Sequence, residues 1–441
     1  MTSASRSPLA VRDFRLLWLG ESVSVLGDQF ALVALPWLAL LLTGSPLALG
    51  TVLALMAVPR AVLMVVGGAY VDRLSPRTVM LVSNAVRFVA VAALGAIVLA
   101  GAAQLWMLYI FALVFGIADA FFYPAHTAIV PDLVSGEQLQ RANGIAQGTA
   151  QLSVLVGPAV AGIAIASLSV SQLGPGLTGV GVALLIDALT FLVSLLALAL
   201  IKPRLAHPGA TGTSVMTQIR EGIAFVWQTK ALRVVMLLSM FLNLLITGPF
   251  EIGLPVLAFS RLPEGAAAFG LMTAAFGGGS VLGLLAATLL PALPPGRFGT
   301  VLLLLIALVG LAIVAMAFAT SLIAAIAVAA VIGAILGYTN VSFMTWIQRR
   351  IPRALMGRVM SLLMFSSIAL VPISMAVAGA LVEISLEGLF IVAGVGMALI
   401  TLLAMLSRSV RQMGLEPVID DEHEPGTSEA QATSPPVPAA V

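Results

Sequence analysis

Gly67–Arg77 reads GGAYVDRLSPR, three charges, a serine and a proline set between two long apolar runs. The run before it, about 46–71, and the run after it, about 78–101, are each long enough to cross a bilayer. A helix rising about 1.5 Å per residue needs about 20 apolar residues for a hydrocarbon core of about 30 Å. Residues 72–77 are then a short basic turn at a membrane surface, and the rest of the chain should be built from the same alternation.

Composition agrees. Of 441 residues, 60% are hydrophobic and only 9% charged, with a mean hydropathy of +1.12; a water-soluble domain carries about 25% charged residues. The apolar runs are too long for the ten-residue alternation of an outer-membrane barrel. Cysteine is absent, which excludes disulfides, thiolate metal sites and cysteine nucleophiles. His126, His207 and His423 are scattered, no metal-ligand or catalytic constellation shares a site, and nothing points to an enzyme, a cofactor or nucleic acid. Arg6, Arg12, Asp13 and Arg15 precede a long first span without a cleavage-like site, so the N-terminus reads as a retained cytoplasmic end.

Twelve spans are expected, at about 14–42, 46–71, 78–101, 105–131, 142–168, 178–201, 231–257, 265–290, 299–319, 321–347, 358–382 and 388–407. Residues 299–347 carry no charge, and roughly 70 Å of helix is twice what a bilayer holds; a turn near Thr320-Ser321 splits them. With both termini inside, eighteen of the 21 lysines and arginines fall in inside segments. Arg261 alone falls outside, and Arg60 and Arg87 lie within spans, a split that would not survive a missing span. The expected organisation is an all-α membrane protein with a six-helix bundle over 1–201 and a linker over 202–230. A second six-helix bundle covers 231–408, and an acidic, Pro/Ser/Ala-rich cytoplasmic tail covers 409–441. Within the linker, Val215, Ile219, Ile223 and Val226 recur at helical spacing, as in an amphipathic helix on the membrane surface. Ala161-Gly162 in span 5 and Ala378-Gly379 in span 11 hint at a repeat of the two halves.

Ionisable residues inside spans are costly and need a reason. Glu21 and Asp28 (span 1), Arg60 (span 2), Arg87 (span 3), Asp119 and His126 (span 4), Asp187 (span 6) and Glu251 (span 7) are such residues. Glu21, Ser24 and Asp28 share one helix face. Carboxyls outnumber arginines, and a carboxyl left without a cation in low dielectric is suited to exchanging protons near neutral pH. Asp28 or Asp119 could instead form a permanent bridge with Arg60. Asn243 and Glu251 are the main polar residues at depth in the second half. The aromatic residues around them, Phe241, Phe250, Phe269, Phe276, Phe343 and Trp346, form an apolar wall opposite an acidic one and would suit an amphipathic or cationic organic solute.

Four stretches carry a family resemblance. Gly68-x-x-x-Asp72-Arg73-x-x-x-Arg77 resembles the loop 2–3 motif of the major facilitator superfamily, with Ser75 for its usual glycine and Pro76 for a basic residue. Gly157-Pro158 and Gly162, within Val156–Gly162, resemble the span 5 antiporter motif. Phe14–Trp18 with Ser24-x-x-Gly27-Asp28, and Arg220–Ile223 with Phe225–Trp227, resemble the first span and central linker of macrolide and siderophore exporters. The resemblance implies the major facilitator fold and a monomer in a bacterial inner membrane. Its activity would be proton-driven efflux of lipophilic or amphipathic small molecules, or else export or flipping of a specific lipid, siderophore or other metabolite. It also implies that spans 1, 4, 7 and 10 line the cavity and that spans 3 and 6 are peripheral, which ranks Arg87 and Asp187 below the other candidates. Asp72 would meet the start of span 11 near 354–357 as a latch. The span 4 arginine that relatives use in coupling is missing here, and Asp28, Glu21 and Arg60 stand as substitutes.

Overall fold

A computed structural model describes residues 7–73, 75–168, 177–202, 230–291, 293–294, 296–348, 360, 362–363 and 366–406. Among them, twelve helices are long and apolar enough to cross a membrane, and there is no strand. They are α1 (Arg12–Thr43), α2 (Pro46–Arg73), α3 (Pro76–Leu99), α4 (Leu105–Leu133), α5 (Gly136–Leu168) and α6 (Leu177–Leu200). In the second half come α7 (Lys230–Gly248, a π-helical turn Pro249–Gly253, then Leu254–Arg261), α8 (Ala266–Leu289), α9 (Phe298–Ala317) and α10 (Leu322–Gln348). The last two are α11 (Val371–Ile384, in a span that begins at Ser366) and α12 (Leu386–Leu406). The turn expected near Thr320-Ser321 separates α9 from α10. The linker helix and the tail lie outside the described residues.

Connections at the end remote from the N-terminus are tight. Gly44 and Gly265, with φ of +62° and +56°, close the turns into α2 and α8, where a side chain would be strained. Arg261, the one basic residue expected outside, donates to the Ala317 carbonyl at 2.9 Å and pairs with Glu387.

Within the first six helices, α1 packs on α5 and α6, α2 on α4, and α3 on α4 and α6. Within the last six, α8 packs on α10, α9 on α10 and α12, and α11 on α7 and α12. Across the halves, α2 meets α11 and α5 meets α8. The repeat hinted at by the two Ala-Gly pairs is realised here: Gly50 lies on Gly379 and the Met375 carbonyl, and Gly270 lies on Gly162 and the Pro158 carbonyl. In each pair backbone meets backbone because neither glycine has a Cβ to hold the helices apart. Trp37 and Phe259, 5.3 Å apart, and the Glu383 carboxylate, which accepts from the Leu47 amide at 3.2 Å and from Ser45 Oγ, join the halves near the same end. At the opposite end, methyl groups at Gly144 and Gly148 of α5 would meet nothing. Among the described residues, the ring and carboxylate contacts that join the halves lie at the end remote from the N-terminus.

Candidate functional site

Polar side chains at depth converge between α1, α3, α4 and α6. Two glycines allow it: Gly20 and Gly27 each precede an acid, Glu21 and Asp28, and any side chain there would collide with Ser194, Ala197 or Thr190 of α6. The close approach of α1 and α6 carries both acids into the interior of the first half. Leu19, Val23 and Leu26 occupy the opposite, exposed face of α1.

Arg87 is the hub. Its side chain is 3% exposed, pairs with Asp119, and lies 4.0 Å from the ring centroid of Phe122 and 5.5 and 5.7 Å from those of Phe115 and Phe191. Such rings favour a desolvated guanidinium. Arg60 Nε reaches the other oxygen of Asp119 at 3.1 Å, and its guanidinium lies 5.9 Å from Tyr123. One carboxylate therefore holds both arginines. Glu21 accepts from Ser194 Oγ at 2.8 Å, Ser194 accepts from Asn84 at 2.9 Å, and His126 Nε2 lies 3.8 Å from the second oxygen of Glu21. Asp187 is wholly buried; Thr190 Oγ1 donates to its backbone carbonyl at 2.7 Å, and its Oδ2 has no hydrogen-bond partner among the described residues. Asp28 makes no hydrogen bond or ion pair among the described residues. It stands within electrostatic reach of Arg87, Asp119, Glu21 and Arg60.

The structure thus unites Glu21, Asp28, Arg60 and Asp119, and adds Arg87, Asp187, His126, Asn84 and Ser194. Arg87 of α3 and Asp187 of α6, ranked below the other candidates, lie in the same cluster, while α3 and α6 pack on helices of the first half. Glu251 sits apart on the π-helical turn of α7, within electrostatic reach of Arg60 across the halves. Ser374 of α11 bridges that break, donating to the Leu244 carbonyl at 2.6 Å and accepting from the Gly248 amide at 2.8 Å. Its neighbour Phe250 packs on Phe276, with ring centroids 4.6 Å apart. Asn243 does not join Glu251. It donates to the Ser239 carbonyl at 2.8 Å and lines a separate cavity of about 310 Å³ between α7, α9, α10 and α12.

The two recognisable motifs take structural positions. Arg77 donates from Nε and Nη2 to the Leu198 and Ala199 carbonyls at 3.0 and 2.9 Å, closing the C-terminus of α6. Ser75 and Pro76, which depart from the family pattern, start α3: Ser75 Oγ accepts from the Thr78 amide at 3.2 Å, and Pro76 takes the first helical position. Ser75→Ala is expected to cost about 1 kcal/mol of stability, seen as earlier thermal unfolding with substrate range unchanged. Gly68, Asp72 and Arg73 stand on the last turns of α2, but their side chains, and residues 349–359 where a latch partner was expected, lie outside the described residues. In α5, Gly157 leaves room for Gln29 of α1, while Pro158 and Gly162 form the contact with α8.

The family model described as the Major Facilitator Superfamily matches residues 17–374. The multidrug efflux pump Tap of Mycolicibacterium fortuitum is 27% identical over 427 residues, 94% of this chain and 99% of that protein. Macrolide efflux protein A of Streptococcus pyogenes is 25% identical over 228 residues, 51% of this chain and 54% of its own length. Among solved structures, the nucleoside transporter NupG is similar with a TM-score of 0.68 at 14% identity, covering 89% of this chain and 98% of its own. A bacterial homologue of the iron transporter ferroportin in an inward-facing state gives 0.65 at 18%, with 89% and 98% covered. At these identities the structural likeness is one of fold.

Proposed function

The chain belongs to the Major Facilitator Superfamily, and from that premise we propose that it expels lipophilic or amphipathic small molecules in exchange for protons, by alternating access between two six-helix halves. Export of drugs is what the printed names of the Tap and macrolide efflux relatives describe for those proteins. The observation that carries proton coupling is the charge balance of the first-half cluster. Glu21, Asp28, Asp119 and Asp187 are four carboxyls against two guanidiniums, both held by Asp119. Neutrality of a buried cluster then calls for two further positive charges, from protons, His126 or a cationic substrate group. Asp28, central and without a bonded partner, is the proton carrier in this reading. Arg60, 44% exposed at the edge of the cluster and in reach of Glu251, links its charge to the space between the halves.

The eighteen basic residues on the N-terminal side support a cytoplasmic placing of that end in a bacterial inner membrane. Protons are the energy source and no cofactor is required; the working unit is the monomer.

Cells expressing the protein are expected to hold less of a lipophilic fluorescent dye than control cells, and a protonophore should abolish the difference. Unchanged accumulation and resistance across a broad lipophilic panel would sink the efflux reading. A difference that survives the protonophore would sink proton coupling alone.

A further inference from the structure

The two halves match helix by helix, and the match explains the cavity in the second. Gly116 of α4 lies on the Met56 carbonyl of α2, as Gly333 of α10 lies on the Phe276 carbonyl of α8. Gly95 of α3 lies near the Gly181 carbonyl of α6, as Gly310 of α9 lies on the Gly394 carbonyl of α12. Aligned on these contacts, Leu302 takes the place of Arg87. Leu336 takes that of Asp119, Thr339 that of Phe122, and Phe343 that of His126. Matching the ends of Arg12–Thr43 and Lys230–Arg261 sets Ser239 opposite Glu21.

Every one of these second-half residues lines the cavity of about 310 Å³. Where the first half fills its interior with an ion-pair network, the second half carries shorter or uncharged side chains and leaves a void. Among the described residues its walls hold no charge; the polar groups are the hydroxyls of Ser239 and Thr339 and the amides of Asn243 and Asn340, the last exposed. Drug-sized pockets run from about 300 to 1,000 Å³. This one therefore takes part of such a molecule. A cation placed inside would lose its hydration without gaining a partner, whereas an apolar group bearing a hydroxyl, carbonyl or amide would satisfy both kinds of wall. The larger hollow between α3 and α4, about 590 Å³, offers apolar side chains and one tryptophan, and lacks that mixture.

We infer that the second-half cavity seats the neutral, apolar part of the exported molecule, while the matching place in the first half handles the proton. The inference rests on the efflux reading, and its test is separable from it. A neutral aryl-diazirine benzamide, photolysed with the purified full-length protein, is expected to label peptides of α7, α9, α10 and α12, and its quaternary ammonium analogue to label them at least about tenfold less. Thr339→Phe puts back the ring that Phe122 supplies in the first half. By displacing roughly five ligand atoms, it should weaken benzamide binding about tenfold. Val89→Phe, which fills the hollow between α3 and α4, should leave binding unchanged. Labelling confined to the first half or to α3 and α4 overturns the inference, and so does equal labelling by the cationic analogue or undiminished binding by folded Thr339→Phe protein. Photolabelling of the wild type reads out the cavity even where Thr339→Phe fails to fold. It also does so where no member of a transport panel is expelled, a result that would count against efflux instead.

Discussion

Asp119→Asn is expected to cost about 3–5 kcal/mol of stability, because it leaves the Arg87 guanidinium among three aromatic rings without the carboxylate it pairs with. Most of that cost belongs to Arg87, 3% exposed; Arg60, 44% exposed, is screened by solvent and adds little. Thermal unfolding of the purified protein would show it as a large fall in midpoint and a loss of folded material on gel filtration. The second half supplies the rescue, since leucines stand at both matching positions, Leu302 and Leu336. Asp119→Leu combined with Arg87→Leu copies that arrangement, and apolar replacement of a buried ion pair is often neutral or stabilising. The double variant is expected to recover most of the lost stability while losing coupled transport. Recovery no better than with Asp119→Asn alone would show that the pair is not what holds α3 to α4.

Asp28→Asn is expected to leave a folded protein that no longer concentrates substrate against a gradient. A pH difference of one unit across the membrane sustains about a tenfold substrate gradient for each proton exchanged. With the proposed carrier removed, that gradient should fall to none, while downhill movement continues and its rate becomes flat across roughly pH 6–8. Proteoliposomes with an imposed pH step measure both quantities. Uphill transport retained by the variant would pass the role to Glu21, the next carboxyl on the same face of α1.

The twelve spans were legible because hydropathy and the alternation of basic segments report the same crossings independently. Helix ends were less so. The fifth span was expected from 142, yet α5 starts at Gly136, because hydropathy marks where a helix enters the apolar layer and not where its backbone hydrogen bonds begin. The pairing of Asp119 with Arg60 was legible as one of two options. The partner of Arg87 was not, since a lone arginine in an apolar helix gives no sign of which neighbour it faces. The signal that would have corrected this is Gly20-Glu21 and Gly27-Asp28, two small–acid pairs seven residues apart, which mark the face of α1 pressed against α6. The void in the second half was hidden for a different reason. It arises from what four helices lack at matching positions, and no single span shows that.

The paired glycine contacts, Gly50 on Gly379 and Gly162 on Gly270, have a mechanical consequence. Where side chains interlock, turning one helix against its neighbour means lifting knobs out of holes. At these two points smooth backbone bears on smooth backbone, so one half can roll on the other with little packing to undo. The line through both contacts is a natural axle for a rocking transporter, and a bulky side chain at any of the four glycines would act as a wedge driven into the bearing.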